Sequence, residues 1–302
     1  MPTGSTGLAR KSGNLAVTAD LMPGLTYELD QQEAEVTSTE FFCTTGVTPP
    51  LKWAGGKRWQ LPYLRTYWGN HDRCRLVEPF CGGLSVALGL SPASALLNDV
   101  NPHLINFYRW LKRGLTISLE MENSASHYYL YRERFNELLS TGKSTTKEAA
   151  SLFYYLNRTG YNGLCRFNRA GEFNVPFGLY SRINYQRDFG EYKPVISRWQ
   201  FLSKPFDRLT LHPTDFVYAD PPYDVEFTQY AKGGFSWQDQ IDTAEWLARH
   251  SGPAVLSNQA TKRIERLYRK LGFKLVYLRA PRRISCTGDR TPATEVLALK
   301  NI

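Results

Sequence analysis

The chain has 302 residues, 42% of them hydrophobic and 14% aromatic, enough to bury a substantial core in one domain carrying an insertion or in two small domains. No run approaches the roughly 20 apolar residues that span a bilayer, and no basic-then-apolar leader opens the chain, so a cytoplasmic protein without a membrane partner is expected. The formal charge of +9 is uneven: residues 1–45 hold two basic and six acidic side chains, a net of −4, which leaves +13 on the rest and suits a polyanionic partner, although a merely soluble basic protein fits equally well.

Residues 1–45 are rich in Gly, Ser, Thr and acidic side chains without a sustained apolar period, so a poorly ordered acidic tail is expected there. Organised sequence begins near Pro49. Lys52-Trp53-Ala54-Gly55-Gly56-Lys57 joins an aromatic ring, two glycines and two amines. Such a loop can hold a carboxylate through Lys57 and backbone amides, with Trp53 covering an apolar or cationic group; alone it ranks no better than a surface turn.

A short apolar run at Arg75-Leu76-Val77 reads as a first buried strand and is followed by Glu78-Pro79-Phe80-Cys81-Gly82-Gly83. Glycines after a first strand let a ligand approach the backbone at a helix N-terminus, and a plain tight turn explains them equally well. The next run, Ala95-Leu96-Leu97, is followed by Asp99, whose carboxylate is placed to accept from the ribose hydroxyls of an adenosyl group. The Gly-x-Gly-x-x-Gly string of dinucleotide sites is absent. Residues 103–111 then carry a helical period (Leu104, Phe107, Tyr108, Leu111).

Between about 112 and 210 the strand pattern gives way to helical stretches and then to a segment dense in Asn, Gly, Arg and aromatics, which reads as an inserted second domain. Its loop runs Leu156-Asn157-Arg158-Thr159-Gly160-Tyr161-Asn162-Gly163-Leu164-Cys165-Arg166-Phe167-Asn168 and continues to Gly171-Glu172-Phe173-Asn174-Val175-Pro176-Phe177-Gly178. Amides, guanidiniums and aromatics at this density match what reading a DNA groove demands, against the plainer possibility of a structural loop.

Phe216-Val217-Tyr218-Ala219 reads as another buried strand and leads directly into Asp220-Pro221-Pro222-Tyr223, a string whose chance occurrence in such a chain is on the order of one in a thousand. The prolines stiffen the corner and remove two backbone donors, so Asp220 and the exposed carbonyls form an acceptor surface suited to an NH2 group, beside which Tyr223 can stack. A base inside a duplex cannot reach such a corner and must rotate out. The plainer reading is a rigid turn. Helical periods at 237–249 and 261–271 flank a strand at Ala254-Val255-Leu256, and after Phe273 a strand, a turn over 282–292 and a strand at Val296-Leu297-Ala298-Leu299 suggest a closing hairpin. Alternating strands and helices predict a parallel α/β sheet with ligands at its carboxyl ends.

The five cysteines (Cys43, Cys74, Cys81, Cys165, Cys286) are scattered without a Cys-x-x-Cys pair, so reduced thiols are expected, with neither a disulfide framework nor a zinc site. None follows a proline.

In order and wording, these motifs resemble the Dam-type adenine-N6 DNA methyltransferases of the alpha arrangement (D12 class) over about residues 48–300. The resemblance implies a Rossmann-like class I S-adenosylmethionine-dependent sheet formed by 46–111 and 211–302, with 112–210 as a mainly helical target-recognition insert. It implies S-adenosyl-L-methionine against Trp53, Ala54, Gly55, Lys57, Phe80 and Asp99, with Asp220 near both donor and target amine. Catalysis would fall to Asp220, Pro221, Pro222 and Tyr223. In the implied double-stranded GATC target, Arg166 reads a guanine, Leu164 and Pro176 a thymine methyl, and Lys52 the outer guanine; Tyr161, Asn162 and Tyr180 fill space around the vacated position, and Arg158 and Asn168 complete the DNA face. Direct transfer is expected, with no metal, no covalent enzyme intermediate and no obligatory protein partner. The same chemistry on another sequence, as in a restriction-modification methylase, and a catalytically silent DNA-binding homologue remain as alternatives. Leu84 stands where many relatives have Gly, and Leu179 where a basic phosphate anchor is common.

Overall fold

The computed structural model describes residues 46–224, 234–280 and 293–302. Seven strands form one sheet: β1 (Leu76–Glu78), β2 (Ala95–Asn98), β3 (Trp199–Leu202), β4 (Phe216–Ala219), β5 (Ala254–Gln259), β6 (Lys274–Ala280) and β7 (Ala293–Lys300), in the spatial order β3-β2-β1-β4-β5-β7-β6. The pairs among β1 to β5 are parallel, and β7 runs antiparallel between β5 and β6. The expected closing hairpin is therefore the β6/β7 pair; its turn lies outside the described residues.

The central strands are short apolar runs because both faces of the sheet are covered. Successive side chains point to opposite faces, so Leu76, Leu97, Phe216 and Tyr218 join one core while Val77, Leu96, Val217 and Ala219 join the other. The first core is closed by α1 (Leu61–Trp68), α2 (Ser85–Leu90), α3 (Pro102–Lys112), α4 (Ala125–Ser140), α5 (Lys147–Thr159) and the single turn α6 (Tyr192–Val195). The second is closed by α7 (Trp237–Ala248) and α8 (Lys262–Lys270). Side chains define where the helices start. Asn101 caps α3, whose first residue is Pro102, and Thr261 caps α8. At α7, Ser236 and Asp239 form a reciprocal capping box.

Two features revise the segment expected at 112–210. Trp199–Leu202 belongs to the sheet as β3, paired in parallel with β2. Its exposure alternates because it is an edge strand, so it lacks the continuous apolar run that betrays a central one. Nor does the segment have a core of its own: Tyr128, Phe135, Phe153 and Tyr155 are continuous with Leu76, Leu97 and Phe107 in one cluster. Beyond α5 the loop is held by isolated bridges Gly160 to Phe177 and Phe167 to Phe173.

In this strand order the chain reverses direction of progression between β1 and β4. The loops leaving those two strands diverge there and open a crevice at the carboxyl edge of the sheet. The Glu78 and Asp220 motifs both leave their strands at this point.

Candidate active site

A cleft of about 720 Å³ occupies that crevice and is lined by the Trp53–Lys57 loop, the Glu78–Gly83 turn, Asp99, Phe206, the Asp220–Tyr223 corner and Phe235. The two glycines of the second motif have a definite reason. A Cβ on Gly82 would lie 2.8 Å from Trp53 Nε1, and one on Gly83 would lie 2.8 Å from Trp53 Cβ. The room they leave is filled by the indole, which becomes the cleft wall. Phe80 stands nearby with its ring centroid 5.5 Å from Phe206 and 5.7 Å from Phe235, an aromatic wall suited to a flat heterocycle.

Asp99 lies just past β2. Its Oδ2 accepts from Gly82 N (3.2 Å) and its Oδ1 from Asn101 N (2.9 Å), which fixes the carboxylate at the cleft while burial raises its pKa. Asn98 braces the same edge, donating to the carbonyls of Pro79 and Lys204 at 2.9 Å each.

Asp220 is the centre of the arrangement. Burial pushes its carboxyl up to about 6, opposed by the nearby Lys57 ammonium. Lys57 Nζ lies 3.5 Å from Asp220 Oδ2, donates to Gly55 O and sits 4.4 Å from the centroid of the Tyr223 ring. The carboxylate that Lys57 was expected to hold is thus, in this structure, that of Asp220. The other oxygen, Asp220 Oδ1, is buried with no hydrogen-bond partner among the described residues. A buried carboxylate oxygen left unpaired costs about 1–3 kcal/mol and is an acceptor awaiting a donor.

The acceptor surface read from the two prolines is narrower than expected. Pro222 O already accepts from Gln240 Nε2 at 2.6 Å, a brace supplied by α7. Behind the corner, Asp224 is buried, pairs with Arg263 and accepts from Thr261 Oγ1, while the Arg263 guanidinium lies 4.6 Å over the Trp237 ring. The chain on both sides of Tyr223 is therefore anchored, and its hydroxyl donates to Glu295 Oε2 at 2.6 Å.

Of the residues expected on the DNA face, Arg158 and Tyr180 meet Lys52, the neighbour of Trp53 in the cleft wall. Lys52 Nζ donates to Arg158 O (2.9 Å) and lies 3.6 Å from the Tyr180 ring centroid; burial, then the charge of Arg158, lowers its pKa. Asn157 clamps the Lys52 backbone on both sides. Tyr161 and Leu164 are exposed, unusual for large apolar side chains, and Asn162 takes a left-handed φ of 52° at the loop tip. Arg166 is exposed but not loose: its Nε donates to Asn174 Oδ1 (2.8 Å) and its Nη2 to Asn174 O (3.1 Å). Pro176 is exposed and its carbonyl accepts from Tyr161 N. Arg158 donates to Asn184 O. Asn168 differs from the rest: its Oδ1 accepts from Ala170 N and Glu172 N and its Nδ2 donates to Glu172, so both ends of the amide close its own turn. That geometry gives Asn168 a turn-forming role. A bond from Asn101 Nδ2 to Cys165 Sγ (3.2 Å) ties this loop to the Asp99 side of the cleft.

Several site residues had no motif to announce them. Gln60, Ser257 and Glu295 meet behind Tyr223 from three distant parts of the chain, and Phe206 and Phe235 complete the aromatic wall. Only Glu295 carried a signal, as a charge in the apolar run of β7.

The model of the D12 class N6 adenine-specific DNA methyltransferases matches residues 53–284. The retron Ec67 DNA adenine methylase of Escherichia coli is 35% identical over 264 residues, covering 82% of this chain and 90% of that protein. The DNA adenine methylase of Vibrio cholerae is 35% identical over 270 residues, and that of Escherichia coli (strain K12) 33% over 269 residues, each alignment covering 82% of this chain and 94% of the relative. A seven-stranded α/β sheet, a cleft at its switch point and a family match spanning both of its halves agree: this chain belongs to the D12 class of N6 adenine-specific DNA methyltransferases.

Proposed function

We propose that the enzyme uses S-adenosyl-L-methionine as donor and methylates N6 of an adenine rotated out of double-stranded GATC, with the segment from residue 112 to β3 contributing target recognition. The observation that carries this reading is the buried, unpartnered Asp220 Oδ1 at the cleft, beside the half-buried Tyr223 ring. The residues present fit the donor. Asp99 offers a fixed carboxylate for ribose hydroxyls, Trp53 and Phe80 offer apolar and aromatic walls, and Gly82 and Gly83 leave the room that the indole needs. Bound there, S-adenosyl-L-methionine supplies a methyl group made electrophilic by its sulfonium.

The protein's own part is orientation and charge. Asp220 accepts a hydrogen bond from the exocyclic amine, which favours a pyramidal nitrogen with an available lone pair and stabilises the positive charge that grows on it. Pro221 contributes no competing donor, and Tyr223 stacks against the base. Arg166, held by Asn174, faces a guanine edge with a pre-set guanidinium, and the exposed Leu164 and Pro176 suit a thymine methyl. Tyr161, Asn162 and Tyr180 surround the vacated position, with Lys52 on the outer guanine and Arg158 nearby.

Expression in cells lacking GATC methylation, followed by digestion of their DNA with one enzyme blocked by the mark and one requiring it, tests the target. Resistance to the first and cleavage by the second are expected. Sensitivity to the first alongside N6-methyladenine at another sequence would overturn GATC and retain the chemistry, while no N6-methyladenine would leave a silent homologue.

A further inference from the structure

Behind Tyr223, four side chains form a hydrogen-bond circuit in which every donor meets an acceptor. Tyr218 Oη donates to Gln60 Oε1 (2.9 Å), so the amide nitrogen of Gln60 faces the other way. That nitrogen has two hydrogens and two acceptors, Glu295 Oε2 at 2.8 Å and Ser257 Oγ at 3.0 Å. Ser257 Oγ, already accepting, has its own hydrogen for Tyr223 Oη at 2.8 Å. Tyr223 then has one hydrogen and one acceptor, Glu295 Oε2 at 2.6 Å. Glu295 Oε2 ends the circuit as the acceptor of two donors. Ser257 is on β5 and Glu295 on the adjoining β7, where Ser257 faces Leu297, so the two share a face of the sheet two residues apart.

The circuit engages only the hydroxyl end of Tyr223. Its ring lines the cleft, and one face carries the Lys57 ammonium at 4.4 Å. A phenol pinned at its oxygen cannot swing its ring out of the cleft. We infer that Glu295, with Ser257 and Gln60, is a positioning residue for methyl transfer: it holds the Tyr223 ring in the place required to stack the target adenine against Asp220. Glu295 touches neither substrate, so it acts through Tyr223. The inference rests on the stacking role proposed for Tyr223.

Glu295→Gln keeps the shape but replaces the carboxylate on which both donors converge with a single, weaker amide oxygen and places an NH2 where the second carboxylate oxygen stood. Three measurements on the full-length enzyme test the idea: single-turnover methylation of a GATC duplex, KM for that duplex, and fluorescence of 2-aminopurine at the target position. Glu295→Gln should lower the single-turnover rate about ten- to hundredfold, the scale of losing a hydrogen bond to a charged group. KM should change less than about threefold, and the fluorescence should report an extruded but unstacked base. In a Tyr223→Phe background, where the circuit has lost its hydroxyl, Glu295→Gln should cost less than about a further twofold, the non-additivity of residues acting through one contact. A merely structural glutamate would lower the melting temperature and multiply with Tyr223→Phe. Should Glu295→Gln fail to fold, Ser257→Ala removes one node without disturbing the buried charge and should show the same non-additivity with a smaller loss. Wild-type rate in Glu295→Gln, or independent multiplication of the two effects, would overturn the inference. Wild-type rate in Tyr223→Ala would instead overturn the stacking role itself.

Discussion

Asp220 shows how one side chain can trade stability for chemistry. The folded chain holds its proton up to about pH 6, whereas the unfolded chain releases it near 3.8, so ionised Asp220 destabilises the fold. That cost is complete above pH 6 and absent below about pH 4. Asp220→Asn should therefore stabilise the protein by about 3 kcal/mol at pH 8, and the advantage should shrink towards zero as the pH falls to 4, read as the difference in melting temperature between variant and parent. The same variant should lower single-turnover methylation about 100- to 1,000-fold, the usual scale for losing one preorganised electrostatic partner. A variant that is more active and no more stable at pH 8 would remove Asp220 from the reaction.

Elements matter here through how closely they approach. The turn between β1 and α2 is compact enough for Trp53 to lie against it, and Gly83→Ala would push a methyl group to 2.8 Å from Trp53 Cβ. Overpacking of this kind costs about 1–3 kcal/mol, so Gly83→Ala should weaken S-adenosyl-L-methionine binding roughly five- to hundredfold while duplex affinity stays unchanged, measured by calorimetry for each ligand. The same turn explains the departure at Leu84, which takes a left-handed φ of 61° at the start of α2. Glycine adopts that backbone without steric cost, and leucine strains it by roughly 1–2 kcal/mol. Its side chain is fully buried, however, and burying a leucine returns an amount of the same order. The fold therefore tolerates Leu84 at a backbone position that suits glycine.

At the scale of the whole molecule, charge and readout separate. The +13 carried outside residues 1–45 favours any duplex through released counterions, and log affinity should fall linearly with log salt, with a slope of about −0.9 for each phosphate neutralised. The contact proposed for Arg166 is of a different class, because Asn174 holds its planar guanidinium by one edge. Arg166→Ala should cost about 1–3 kcal/mol on GATC and relax preference at one base pair without changing the salt slope. Binding assays across a salt series on GATC and singly altered duplexes decide this. Equal weakening on every duplex, with the slope reduced by about one, would make Arg166 a phosphate contact.

The sequence alone was sufficient for the parts of this protein that depend on near neighbours in the chain. Strands β1, β2, β4 and β5 were legible as apolar runs because burial on both faces leaves no polar alternation, and α3, α7 and α8 were legible from their helical period. The Asp220–Tyr223 corner announced itself because its rigidity comes from two adjacent prolines. What depended on distant partners was hidden. Strand β3 is an edge with alternating exposure, and Pro222 loses its free carbonyl to Gln240 on another element. The Gln60, Ser257 and Glu295 circuit joins residues as far as 235 positions apart, and no local pattern encodes such a meeting. Only the packing of β5 against β7, with Gln60 alongside, brings those three polar groups behind one tyrosine.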